Sequence, residues 1–243
     1  MIELIHISKT PEDLAILFTK RLLLWIGENT KNNYHIALSG GKTPSLVFKL
    51  LADKYQDLIS WQKIHFWWGD ERMVPPDDPE SNYKVANELL ISKIPIPVNH
   101  IHRIQGEADP VEEVKRYGDE IASLLPIIDQ TPVFDLIILG LGEDGHTASI
   151  FPRQQNILDS EQLTEISVHP VTSQVRITLT GKVLNNSLKV AYLVTGKTKA
   201  KVLSKILHHH KDAVIYPAAH IHPIEELHWF IDKASMPVKP TDY

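Results

Sequence analysis

Short apolar runs rich in Ile, Val and Leu recur along this chain, and between them apolar residues repeat every three or four positions. The runs predict strands over 3–7, 34–38, 64–68, 134–139, 174–179, 189–195 and 227–231. In the first helical segment Leu14, Leu17, Phe18, Leu22 and Trp25 fall on one face. Thr10 precedes it as N-cap, with Pro11 at the first helical position and Asp13 two further on. Asp109-Pro110, with Glu112 three residues past the cap, opens a second helix. Further helices are expected from about Ser81 and from near Thr180. Strands alternating with helices predict an α/β fold with a mainly parallel sheet flanked by helices. The segment IPIPVNH (94–100) is a stiff connection too short to link domains, and no repeat or low-complexity tract interrupts the chain. Residues 1–243 are therefore expected to form a single domain.

Composition narrows the function classes. With 43% hydrophobic and 23% charged residues over 243 positions, the chain reads as an ordinary soluble protein. No apolar stretch reaches membrane-spanning length, and the first residues, MIELIHISKTPEDL, lack the basic and apolar regions of a signal peptide. The absence of cysteine excludes disulfides, thiolate metal sites and cysteine nucleophiles, and a cytoplasmic location is expected. A formal net charge of −5 argues against a nucleic-acid partner held by bulk electrostatics, while leaving room for a small basic pocket.

Candidate chemistry gathers in loops that follow predicted strands. In FDLIILGLGEDGHTASIFP (134–152) an apolar run stops at a glycine-rich loop bearing Glu143, Asp144 and His146. Ligands of α/β proteins bind at the carboxyl ends of strands, and two acids beside an imidazole there read as a general acid/base site. Gly140, Gly142 and Gly145 also satisfy G-x-G-x-x-G. However, Glu143 and Asp144 would repel a pyrophosphate, and Pro152 permits only a short helix, so no dinucleotide cofactor is expected. The turn Ser39-Gly40-Gly41-Lys42-Thr43, with Pro44 opening a helix, offers close backbone approach and free N–H groups to an anion such as a phosphate monoester. It is not a nucleotide P-loop, because the first glycine of that motif would fall at Ile36. A plain strand–turn–helix connection accounts for the same residues.

Gly69-Asp70-Glu71-Arg72 follows the third strand. Arg72 supplies a rigid fork for phosphate or carboxylate, and Asp70 would bind sugar hydroxyls or orient a water, against the alternative of a solvated charged turn. Lys197, Lys199 and Lys201 open a helix after the sixth strand, within reach of a phosphate at the same sheet edge, and Arg176 is a further anion-binding candidate. The 13 histidines, including His208, His209, His210, His220 and His222, show neither an established ligand spacing nor an HExxH motif, so no metal site is expected.

Together, SGGKTP, WWGDERMVPPDDPESNY, LGLGEDGHTASIFP, RITLT, TGKTKA and LHWFID resemble the 6-phosphogluconolactonase family, in its order, from about residue 34 to 232. The resemblance implies a single-domain modified Rossmann-like α/β fold, shared with glucosamine-6-phosphate deaminases and ribose-5-phosphate isomerases. It implies hydrolysis of 6-phospho-D-glucono-1,5-lactone, with a small phosphosugar lactone as the partner and no dissociable cofactor; a monomer is the default expectation for the chain. On that reading the phosphate docks at Ser39, Gly40, Gly41 and Thr43, and Arg72 and Lys199 complete the clamp; Lys199 matches the family's G-x-x-K-A pattern. His146 is the general base, Asp144 orients it, and Asp70 fixes a water or hydroxyl. Deaminases similar to this chain carry a glutamate where Phe151 precedes Pro152. A deaminase-like sugar-phosphate enzyme and a non-catalytic phosphosugar-binding protein are the alternatives.

Overall fold

Tyr34–Leu38, Ile64–Trp68 and Leu136–Leu139 are buried at every position, as strands covered on both faces must be. The computed structural model describes residues 1–236. Its strands are β1 (Ile2–Ser8), β2 (Tyr34–Leu38), β3 (Ile64–Trp68), β4 (Asp70–Arg72), β5 (Ile101–His102), β6 (Ile127–Ile128), β7 (Thr131–Pro132), β8 (Leu136–Leu139), β9 (Thr164–Val168), β10 (Val175–Leu179), β11 (Lys189–Val194) and β12 (Glu226–Asp232). Its α-helices are α1 (Pro11–Glu28), α2 (Lys42–Leu50), α3 (Asn82–Leu89), α4 (Pro110–Leu124), α5 (Gln155–Leu158), α6 (Gly181–Asn185) and α7 (Ala200–Leu207). No helix among the described residues is long and apolar enough to cross a membrane.

Seven strands form one sheet in the order β1-β12-β11-β8-β2-β3-β5, and every pairing in it is parallel. The strand expected over 174–179 forms, but it lies outside this sheet. As β10 it pairs antiparallel with β4 on one side and β9 on the other. α1 packs on β12, β1 and α2. Its Thr10 side chain accepts from the Asp13 N–H, as the cap pattern predicts. The buried stripe is Leu14, Ala15, Phe18, Thr19, Leu22 and Trp25. Leu17, expected on that face, sits outside the stripe and is exposed, because Ala15 and Thr19 rotate the contact toward the opposite flank. Asp109 caps α4 through the Val111 and Glu112 N–H groups, and Ser81 caps α3 through that of Lys84.

The end of β3 is held from outside the sheet. β5 pairs only with Phe66 and Trp67, so the Trp68 backbone has no strand neighbour on that side. The buried Tyr117 hydroxyl of α4 replaces one: it accepts from the Trp68 N–H and donates to the Trp68 carbonyl, both at 2.9 Å. Tyr117→Phe leaves both backbone groups buried and unpaired. It is expected to cost about 2 kcal/mol or more in urea unfolding; an unchanged midpoint would show that another group takes over.

His35 and His65 face each other in register across β2 and β3 and are both buried. Burial above all lowers them, His35 to about 4 and His65, with His35 as a further cause, to about 3. They are therefore neutral in the fold, whereas the unfolded chain takes up protons near pH 6.5. Their contribution to stability is full above roughly pH 6.5 and is lost as the pH falls toward 4. The urea midpoint should drop steadily between about pH 6.5 and 5, above the range in which ordinary carboxylates titrate. A flat midpoint over that interval would contradict the assignment.

Candidate active site

β3, β2, β8 and β11 are consecutive in the sheet, and their carboxyl ends run into Gly69–Arg72, Ser39–Gly41, Gly140–His146 and Thr195–Lys199. The chain moves outward from β2 to β3 and β5, then returns beside β2 as β8 and moves outward the other way. Such a switch point opens a crevice between the two loops. The crevice here has about 530 Å³ of open space and is lined by Ser39, Gly40, Gly41, Asp70, Arg72, Asn82, Gly140, Leu141, Gly142, His146, Ala148, Arg176 and Lys199.

On one wall, Gly41 adopts the left-handed φ of +108° and is the N-cap of α2. No side chain caps this helix, and no acidic residue occupies its first turn. Its leading N–H groups and positive dipole end are thus left for a ligand anion. Gly40 is required by crowding, since a Cβ there would lie 1.9 Å from Asn82 Oδ1. Thr43 departs from expectation. Its hydroxyl is 2.9 Å from that of Thr195, so the side chain ties the first turn of α2 to the loop after β11 and is absent from the lining.

β4 resolves the Asp70-Glu71-Arg72 triplet by strand alternation. Asp70 and Arg72 face the crevice, while Glu71 points the other way and does not work with them as a unit. Glu71 instead accepts from the N–H groups of Arg72, Asn82 and Tyr83, each at 2.8 Å, and from the Ser81 hydroxyl at 3.0 Å. Burial raises its pKa against the pull of those N–H groups. It thereby fixes the start of α3 and brings Asn82 to the crevice, where Nδ2 donates to the Asp70 carbonyl.

Arg72 and Arg176 are direct cross-strand partners in the β4–β10 ladder. Like charges placed opposite one another destabilise a sheet. Burial first, and Arg72 next, lower the pKa of Arg176. Arg72 Nη1 donates to the Glu80 carbonyl at 2.5 Å, while its buried Nε has no partner among the described residues. Lys199, lowered by burial, adds a third cation, with Glu143 Oε1 3.9 Å from its Nζ. Lys197 and Lys201 are absent from the lining.

On the other wall the glycine-rich loop folds back on itself. The Gly142 N–H donates to the His146 carbonyl, and Gly145, at φ +87°, donates to the Gly142 carbonyl. No helix opens at Gly145; α5, four residues long, begins only at Gln155, which removes the helix N-terminus a dinucleotide would need. Asp144 Oδ1 lies 2.6 Å from His146 Nδ1 and also accepts from the His146 N–H. Burial alone would raise the Asp144 carboxyl, but the His146 hydrogen bond and charge outweigh it and hold it at about 2. An ionised carboxylate can only accept, so Nδ1 carries the hydrogen, and whenever the ring gives up its second proton the lone pair appears at Nε2. Nε2 has no hydrogen bond among the described residues. Asp144 itself is not in the lining; it acts on the crevice through His146. Gly142 makes room for the pair, because a Cβ there would sit 2.1 Å from His146 Nδ1 and 2.5 Å from Asp144 Oδ1. The His146 ring rests on Phe151, with centroids 4.8 Å apart.

Sequence reasoning missed Asn82, Leu141 and Ala148. Asn82 reads as an ordinary residue after a helix cap, and its bond to the Asp70 carbonyl and its close approach to Gly40 reveal its place. Among the described residues no three His, Asp or Glu side chains converge in a metal-binding group. The histidines of the 208–210 run serve the chain locally: His208 Nδ1 bonds the Ser204 carbonyl, and His210 accepts from the Asp212 N–H.

Comparison with known proteins agrees with this geometry. The family model described as glucosamine-6-phosphate isomerases/6-phosphogluconolactonase matches residues 9–229. A 6-phosphogluconolactonase of Haemophilus influenzae is 48% identical over 204 residues, 83% of this chain and 86% of the relative. One from Synechocystis is 37% identical over 91% of this chain and 90% of its own length. The solved structure of 6-phosphogluconolactonase from Trypanosoma brucei superposes with a TM-score of 0.85 at 29% identity, covering 96% of this chain and 97% of that one. In sequence and in fold, the chain belongs to the glucosamine-6-phosphate isomerase/6-phosphogluconolactonase family.

Proposed function

We propose that this protein hydrolyses 6-phospho-D-glucono-1,5-lactone to 6-phospho-D-gluconate, acting as a single-domain cytoplasmic monomer. The observation that carries the reading is the Asp144–His146 pair, with an open Nε2 lone pair at a crevice edged by three cations. The substrate phosphate docks at the start of α2, beside Ser39, Gly40 and Gly41. Arg72 and Lys199 clamp it, and Arg176 adds to the field. A dianion between Arg72 and Arg176 relieves their mutual repulsion. This anchoring holds the lactone carbonyl near the His146 loop.

His146 Nε2 then takes a proton from water as the oxygen bonds to C1. The tetrahedral oxyanion is met by backbone N–H groups of the glycine turns. Asp144 stabilises the imidazolium and keeps its orientation. Collapse breaks the bond from C1 to the ring oxygen, which receives the proton from Nε2. The carboxylic acid formed at C1 ionises, leaving 6-phosphogluconate. The cycle uses no dissociable cofactor. Ring opening with isomerisation, as in a deaminase, needs a further group to pass protons between C1 and C2. The residue at the corresponding place is Phe151, buried against His146 and beneath Arg176. A mere phosphosugar binder, for its part, has no use for a tautomer-fixed imidazole.

Freshly generated lactone, coupled to 6-phosphogluconate dehydrogenase and corrected for spontaneous opening, provides the assay. His146→Ala should lower kcat on the order of 10²–10⁴-fold with KM little changed. Unchanged turnover would remove His146 as the base. Arg72→Ala should instead raise KM, and the inhibition constant of 6-phosphogluconate, about tenfold or more, as expected for a lost charge-assisted contact. No effect on either would place Arg72 outside the phosphate site.

A further inference from the structure

Ser149 is fully buried behind the crevice, and no step of the hydrolysis above uses it. Its hydroxyl lies 2.6 Å from Asp70 Oδ2, within the range for a hydroxyl donating to a carboxylate. Its one proton is thereby spent, so toward Arg176 Nη1, at 3.3 Å, the oxygen accepts. Asp70 Oδ2 and Arg176 Nη1 themselves stand 4.0 Å apart. The serine is thus a spacer that bonds to both groups and holds them short of direct pairing. Gln174 Oε1 takes Nε and Nη2 of the same guanidinium, at 3.2 and 3.0 Å, and fixes it from the far side.

The backbone is shaped to deliver this hydroxyl. Thr147 and Ile150 close a tight turn by exchanging N–H···O bonds of 3.3 and 2.9 Å. Ala148 within it takes a left-handed φ of +47°, unusual for a residue with a Cβ. The Ser149 N–H donates to Thr178 Oγ1, and Thr178 is the cross-strand partner of Asp70. Asp70 Oδ2 is therefore committed to Ser149, while Oδ1 has no hydrogen bond among the described residues and belongs to a residue lining the crevice.

We propose that Ser149 is a positioning residue for hydroxyl recognition: by holding Asp70 and Arg176 apart, it keeps Asp70 Oδ1 free to accept a hydrogen bond from a ring hydroxyl of the substrate. The proposal rests on the lactonase reading. Without the Ser149 hydroxyl, Arg176 closes on Asp70 as a direct ion pair, and the carboxylate stops reading the sugar. Ser149 then governs which lactones are accepted, through Asp70, without touching the substrate.

The test compares 6-phosphoglucono-δ-lactone with its 2-deoxy, 3-deoxy and 4-deoxy analogues. Wild-type enzyme should favour the full lactone over one analogue, in kcat/KM, by about tenfold or more. Ser149→Ala should erase most of that preference, lowering kcat/KM for the full lactone about tenfold more than for the discriminated analogue. In an Asp70→Asn background, which keeps the side-chain shape, Ser149→Ala should have little further effect on selectivity. Arg72→Ala, acting on the phosphate, should lower all four lactones together and preserve the preference. An equal loss on every lactone, additive effects in the double variant, or unaltered selectivity would each overturn the proposal. Wild-type turnover no faster than spontaneous opening would instead overturn the lactonase reading, and the hydroxyl-reading role with it.

Discussion

β2 and β8 are paired at only two positions, Ile36 with Leu136 and Ala37 with Ile137, and the architecture of the site depends on that short contact. Both strands are buried throughout, so their direction is fixed by the core. Their loops then leave toward opposite sides of the sheet, because the chain runs outward from β2 one way and outward from β8 the other. The gap between them receives the free start of α2 on one side and the folded glycine loop on the other. β4 and β10 add Asp70, Arg72 and Arg176 from a separate antiparallel sheet, in which alternation decides which side chains face inward.

The electrostatics of the crevice violate ordinary rules of stability in a consistent direction. Two arginines oppose each other in register, a helix begins without a side-chain cap, and a buried guanidinium nitrogen has no partner. Each feature is unfavourable for the isolated chain, and the phosphate dianion of the proposed substrate would relieve all of them. Violations that share a remedy mark a binding site more firmly than any one cation does. Glu71 shows the contrasting case. Equally charged and adjacent in sequence, it is fully engaged with backbone N–H groups and serves the fold.

Much of this was legible in the sequence because the central strands are apolar at nearly every position and the glycine loops follow them directly. Tyr34–Leu38 and Ile64–Trp68 coincide with their predicted ranges for that reason. The smaller sheet was harder to read. β4 consists of three charged residues, and β9, TEISV, mixes polar and apolar positions, so neither stands out from a loop; their pairing through β10 is a tertiary fact. The partner of Thr43 was equally hidden: its hydroxyl lies 2.9 Å from that of Thr195, 152 positions away, which no local pattern announces. Asn82 and Ser149 were hidden because each matters through what it touches across the fold.

The Asp144–His146 pair separates a catalyst from a binder on physical grounds. Cations and free N–H groups suffice to hold a phosphosugar. Here an ionised carboxylate at Nδ1 locks the imidazole into one tautomer, and seating that pair against the main chain requires a position with no Cβ, which Gly142 supplies. Phe151 backs the ring with an apolar surface, and Nε2 has no hydrogen bond among the described residues. A site so constructed can take a proton from water and return it to the departing oxygen, the full proton traffic of opening a lactone. Among the described residues no second acid bonds Nε2 to pass a proton between neighbouring carbons, which supports the proposed lactone hydrolysis over a deaminase-like isomerisation.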